Sequence, residues 1–420
     1  MRLASGYTQP VRIFYQILFS FIFFFLLLTR GSAAGNFPGD WGITGEIGVQ
    51  VRSFPRDPNF GVQEHATISP SITMEVELLK EWNNGRDRFT FIPFGRWDAH
   101  DDQRSRLEIK ELHWTHQEED WSLLLGISKV FWGVTESRHL VDIINQTDSS
   151  ADIDGEDKLG QPMINLTLER EWGSIDLFLL PYFRERIFPK QDARLKGLFS
   201  VRGDAAYSSS LKEWHPDWAM RYSHTFGEFD LGVSFFRGTS REPRPKEREA
   251  NSKGKTVRAY YETISQFGID LQWTRDSWLW KLEHSVTYGY RKTFWGLVAG
   301  FEHTFFQIFD TNADLGLLAE YLYDARTHNV FEAPPSADEH DIFGGVRISL
   351  NNPADSNLLA GIIMDARDGE VSALVEASHR LNQNWVFEVE TRWLFATDTL
   401  SAFHDLRRDS FISARLVWYF

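Results

Sequence analysis

Three kinds of chemistry are open to this chain, and each depends on which side chains share a face. The run DSSADIDGED, residues 148–157, crowds Asp148, Asp152, Asp154, Glu156 and Asp157 together. Oxygen ligands at that density could hold Ca²⁺, but the spacing lacks the distant bidentate Glu of a calcium loop. A solvated acidic loop tip is therefore the stronger expectation. A hydrolase would need Ser, His and an orienting group on one accessible face. His284 and Ser285 are sequence neighbours, so on a strand they point to opposite sides, and the His113-x-x-His116 pair splits in the same way. His139 with Asp142 is the single local candidate, and it has no evident third member. The third possibility is a row of charges at the polar positions of alternating segments: Glu46, Arg52, Glu75, Glu77, Arg88, Arg96, Glu388, Glu390, Arg392 and Arg415. Facing water, such a row needs no desolvation and lays a field across whatever passes it. No catalytic residue is assigned, and no cofactor is expected.

Strands must place that row. In ITGEIGVQVR, residues 43–52, Ile43, Ile47, Val49 and Val51 share one face, opposite Thr44, Glu46, Gln50 and Arg52. SITMEVEL at 71–78, WLWKLEHSVTYGYR at 278–291, WVFEVETRWLF at 385–395 and FISARLVWYF at 411–420 alternate likewise. Segments of about ten residues are long enough to cross a bilayer at a tilt, whereas soluble strands run to about five or six. Trp and Tyr gather near their ends, as they do at membrane interfaces. The spacing predicts eighteen strands, sixteen being the alternative count, with one long strand at 256–274. Every long connection follows an odd-numbered strand (54–66, 131–160, 186–215, 239–255, 325–339, 396–408), while short turns follow the even-numbered ones. That sorting predicts an all-β, transmembrane, antiparallel β-barrel. In LEIKELHW, residues 107–114, the apolar parity slips between Ile109 and Leu112, which predicts a bulge. LLAGIIM at 358–364 and FGGVRI at 343–348 are apolar or glycine-rich on both faces, as expected of a wall covered from inside.

Composition agrees. Aromatics make up 15% of the 420 residues, there is no Cys, and the mean hydropathy is −0.35. One apolar run approaches the roughly 20 residues a helical span needs. It spans Ile13 to Leu28, behind Arg2 and Arg12 and ahead of the small residues Ser32 and Ala34. This three-part pattern predicts a signal peptide over 1–34 and a barrel domain over 35–420. The remaining chain would carry a net charge of about −18, a balance that excludes nucleic acid as a partner and tilts towards cations or neutral solutes.

The connection VFWGVTESRHLVDIINQTDSSADIDGEDKLGQ, residues 130–161, is too long for an ordinary turn. Trp132, Leu140, Val141, Ile143 and Ile144 need burial, so its first half is expected to fold inward or cap the mouth, with Trp132, Gly133, Arg138, Asp142 and Asn145 as its key positions. The stretch GISKVFWGVTESRHLVDIINQTD resembles a motif of porin-like bacterial outer-membrane families of unassigned function: G-x-x-x-x-x-W-G followed by D-x-x-N, here Gly126, Trp132, Gly133, Asp142 and Asn145. The aromatic final strand ending in Phe420 resembles the signal such barrels present to the barrel assembly machinery. The basic stretch 237–258 reads as a mobile surface loop, with anionic lipopolysaccharide as its alternative partner. These features together predict a barrel in the outer membrane of a Gram-negative bacterium that passes small polar solutes through a lumen narrowed by 131–160. The alternatives are an enzyme barrel of lipase or protease type and a plugged structural or adhesion barrel.

Overall fold

The computed structural model describes residues 41–420 apart from 197–199, 202–203, 252–253, 328, 337–339, 368 and 397–403. The predicted signal peptide lies outside the described residues. Eighteen antiparallel strands form one sheet: β1 Trp41–Ser53, β2 Ile68–Trp82, β3 Asp87–Asp98, β4 Arg106–Gln117, β5 Trp121–Ser128, β6 Gln161–Arg170, β7 Gly173–Leu180, β8 Asp217–Phe226, β9 Phe229–Thr239, β10 Thr263–Arg275, β11 Trp278–Tyr288, β12 Phe294–Phe305, β13 Asp314–Asp324, β14 His340–Ser349, β15 Asn357–Asp365, β16 Val371–Arg380, β17 Trp385–Phe395 and β18 Phe411–Tyr419. Each pairs with its sequence neighbours. β18 pairs back onto β1, Trp418 opposite Ile47 and Arg415 opposite Gln50. The sheet is closed, so no edge is left unpaired.

Alternation decides what each face meets. Val49, Leu125, Leu177, Phe267, Ile342 and Ile412 stand exposed on the outer surface. Trp82, Trp172, Phe226, Trp278 and Phe305 cluster outside at the short-turn end. Trp218, Tyr288, Trp295 and Phe395 do so at the long-loop end. An apolar band between two aromatic girdles is how a barrel meets a bilayer. The predicted bulge is at Lys110: Ile92 pairs with Glu111 and Pro93 with Ile109, leaving Lys110 unmatched. Pro93 explains it, because proline has no N–H to give the ladder.

Two expectations need correction. The predicted strand 256–274 is two elements. Gly254–Tyr261 pairs with Arg244–Asn251 in a small sheet above the barrel, and the barrel strand begins at Thr263. Tyr261, Ala259 and Phe183 form a buried apolar cluster there, which alternation along a single run cannot distinguish from a barrel wall. For the same reason the basic stretch 237–258 is not a free loop, since much of it is that hairpin.

Candidate functional site

Residues 131–160 fold into the lumen. Their apolar half packs on one side of the wall: Trp132, Val141, Ile143 and Ile144 join Met163, Phe178, Leu180, Phe236, Ile264 and Phe294 in one buried cluster. Leu140 reaches a second, built from Val298, Leu318, Leu322 and Phe343. Phe343 lies over Gly345 and Gly361, which accounts for the apolar and glycine-rich wall read in β14 and β15.

Two wall carboxylates hold the loop backbone. Glu283 of β11, fully buried, accepts from the amides of Val134 (2.7 Å), Thr135 (3.1 Å), Leu140 (2.6 Å) and Val141 (3.3 Å). Glu320 of β13 accepts from the amides of Glu136 and Ser137, both at 2.8 Å. Turn amides aimed at one anion are a strong local arrangement. Neither residue was singled out from sequence. A signal existed at Glu320, a lone acid between the inner-face residues Leu318 and Leu322, which implies that something covers it.

The five loop positions named from sequence act at the seam. Trp132 is buried against Phe178, ring centroids 5.7 Å apart, with the Arg221 guanidinium over its ring, 5.3 Å from the centroid. Gly133 has φ +150°, and a Cβ there would sit 2.8 Å from His139 Nδ1 and 3.0 Å from Glu283 Oε1, so only glycine lets the chain pass. Arg138 pairs with Asp324 at 3.3 Å. Asp142 accepts from the Trp132 amide and pairs with Lys158 at 3.1 Å. Asn145 ties both ends of the loop together, accepting from the Val130 amide (2.8 Å) and donating to the carbonyls of Ser128 and Leu159 (2.9 Å each).

The acidic half reaches the opposite wall, which corrects the expected solvated tip for Asp148 and Asp152, both buried, while Asp154, Glu156 and Asp157 stay exposed. Asp148 pairs with Arg106, Asp152 with Arg52, Asp154 with Arg392 at 2.7 Å and Glu156 with His139 at 3.4 Å. Alternation located the wall guanidiniums, but pairing across the lumen has no sequence period. Asp152, Asp154 and Glu390 each bring an oxygen within 4.8 Å of the others. Arg52 and Arg392 between them already pair with all three carboxylates, and Asp148, Glu156 and Asp157 lie outside the trio, so the donor set does not fit a calcium site. Desolvation, with Asp152 beside it, pushes Asp154 up to about 7.

The register puts all ten wall charges on the inner face. Arg415 of β18 joins Glu46 of β1 at 2.6 Å and Glu388 of β17 at 2.9 Å. Glu75 pairs with Lys110, Arg88 with Glu81 at 2.6 Å, and Glu390 with Arg392 at 3.0 Å. Glu77 accepts from the Thr44 hydroxyl at 3.3 Å. Arg96 lines the lumen beside Phe94 and Arg106. Two cavities result. One, about 690 Å³, is lined by Glu46, Ser349, Asn357 and Ser378 towards the short-turn end. The other, about 670 Å³, is lined by Ser240, Glu242, Tyr290 and Arg326 towards the long-loop end. They share Glu136, Asp154, Lys158, Leu359, Glu376 and Arg392, where loop and wall come closest.

His139 latches the loop. Its Nε2 is 3.4 Å from Glu156 and its Nδ1 3.7 Å from Glu283. Burial opposes a charged ring, but the nearby carboxylates of Glu156 and Glu283 outweigh it and raise His139 to about 10. The docked loop thus favours the imidazolium. Its contribution is complete below the free value of 6.5 and is lost as pH rises through about 10. Protease cleavage within 131–160 should therefore accelerate from about pH 7 to about pH 10, and the acceleration should be absent in His139→Gln. Equal rates in both proteins across that range would remove His139 from the latch.

A BenF-like porin from Pseudomonas fluorescens Pf-5 superposes with a TM-score of 0.51 at 9% identity, covering 91% of this chain and 98% of that one. The shared feature is the barrel fold. Variants of a Rh. blastica porin superpose with TM-scores of 0.43 at 10–11% identity, covering 91% of this chain and all of theirs. No protein-family model matches the sequence, and no curated protein does.

Proposed function

We propose that the chain is a passive outer-membrane channel for small polar solutes, with residues 131–160 as its constriction. The observation that carries this reading is the wet, charged half of the lumen. There, two cavities of several hundred Å³ adjoin across Glu136, Asp154, Lys158 and Arg392 while the apolar half of the loop is packed away against β6–β12. The BenF-like porin, a porin by its name, has the same kind of barrel, which supports the reading. Carboxylates of the loop facing guanidiniums of the wall would orient a polar solute at the narrow point. The ten wall charges act here as the lining. Lipid surrounds the apolar band, the long loops face lipopolysaccharide, and the final strand engages the barrel assembly machinery of a Gram-negative cell after the leader is removed.

Refolded in detergent and added to a planar bilayer, the protein should give stepwise current increments in KCl. Silence from correctly folded protein would point to a plugged barrel instead. Lipase or protease turnover by the same preparation would move the reading to an enzyme.

A further inference from the structure

Most cations on the β1–β5 quarter of the lumen are spoken for. Arg52 holds Asp152, Arg104 holds Asp98, Arg106 holds Asp148 and Glu108, and Lys110 holds Glu75. Arg96 and Lys129 line the same cavity, yet among the described residues neither has a carboxylate within 4.0 Å. The Arg96 Nε–H is buried without an acceptor, and its guanidinium rests near the Phe94 ring, 5.7 Å from the centroid. The Arg52 and Arg104 Nε–H groups are likewise without an acceptor, but those guanidiniums hold Asp152 and Asp98, whereas Arg96 has no carboxylate to offset its burial. Burial and the neighbouring Lys110 ammonium hold Lys129 below the usual lysine range, the response of a cation short of counter-charge. Of the acids lining this cavity, Asp157 is the one near them that forms no ion pair among the described residues, so two cations face one free carboxylate.

We propose that Arg96 and Lys129 form a subsite for one anionic group, a carboxylate or a phosphate, on solutes inside the cavity. A guanidinium fork takes either group through paired N–H donors, and a lysine adds a point charge. The cavity of about 690 Å³ leaves room for the body of a small organic acid, with Phe94 as an apolar flank. The negative net charge belongs to the chain as a whole, whereas the local balance here is two unpaired cations to one carboxylate. This inference rests on the channel reading and names its solute class.

The test uses the detergent-folded full chain, with inorganic phosphate and propionate as separate probes. Calorimetry should show binding of at least one. Arg96→Gln should weaken it by roughly tenfold, Lys129→Gln by less, and Asp157→Asn should tighten it. In bilayers, the anion-to-cation permeability ratio should fall in Arg96→Gln and rise in Asp157→Asn. Phosphate binding alone assigns the subsite to phosphates, and propionate binding alone assigns it to carboxylates. The subsite is overturned if neither probe binds, or if Asp157→Asn, a change that keeps the side chain's shape, leaves both affinity and permeability ratio unmoved. Binding without conduction would keep the subsite and refute the channel.

Discussion

Deleting residues 134–158 should raise the single-channel conductance by roughly threefold or more and swing selectivity towards anions. The loop occupies the lumen between the two cavities, so its removal merges them. It also takes away seven carboxylates against Arg138 and Lys158 alone, which leaves Arg52 without its partner and weakens the neutralisation of Arg106 and Arg392. Glu283→Ala should give part of the same gain, as brief flickers to a higher level. Four loop amides then lose their acceptor, at a cost to docking of about 3 kcal/mol or more. The wall itself should survive, because Glu283 sits within strand pairing that does not depend on its side chain. Conductance and selectivity equal to wild type in the deletion would mean that the loop does not narrow the path.

Gly126→Val should abolish most folding. Gly126 sits in β5 at φ +142°, and a Cβ would meet the Leu112 carbonyl oxygen at 2.2 Å and His113 Cα at 2.6 Å. The clash is with backbone, which cannot swing aside, and a β-branched residue adds strain at that φ. The two together come to roughly 3–6 kcal/mol. The expected readout is loss of the folded band that shifts on heating in gel electrophoresis. Gly344→Ala is the control, since nothing lies within 4 Å of a Cβ there. Wild-type yield from Gly126→Val would show that β4 and β5 can separate, against the geometry described.

The barrel was legible because its rule has a period. Inside and outside alternate by residue, long and short connections by strand, and the bulge at Lys110 announced itself as a slip in that beat. The inward loop was legible too, through Trp132, Val141 and Ile144, whose size demands cover. What failed were partnerships without a period. Asp148, Asp152 and Asp154 look free until the barrel brings Arg106, Arg52 and Arg392 to meet them. Nothing in the spacing of WLWKLEHSVTYGYR sets Glu283 apart from its polar neighbours, although its carboxylate holds four amides. The small sheet at 244–261 has the same alternation as the wall, so the boundary at Thr263 could not be read. Gly133 appeared as part of a motif, whereas its reason, the nearness of His139 and Glu283, is purely spatial.

Arg415 carries a consequence for how the cylinder is built. It stands on the last strand and is held by Glu388 on the strand before it and Glu46 on the first. Until the two ends of the sheet meet, its guanidinium is matched on one flank only, with Glu46 left waiting on the far rim. Ring closure therefore completes an ionic stitch along with the final ladder of backbone bonds. A circularly permuted chain opened at another hairpin would form that stitch early, and should zip shut with a different slow step.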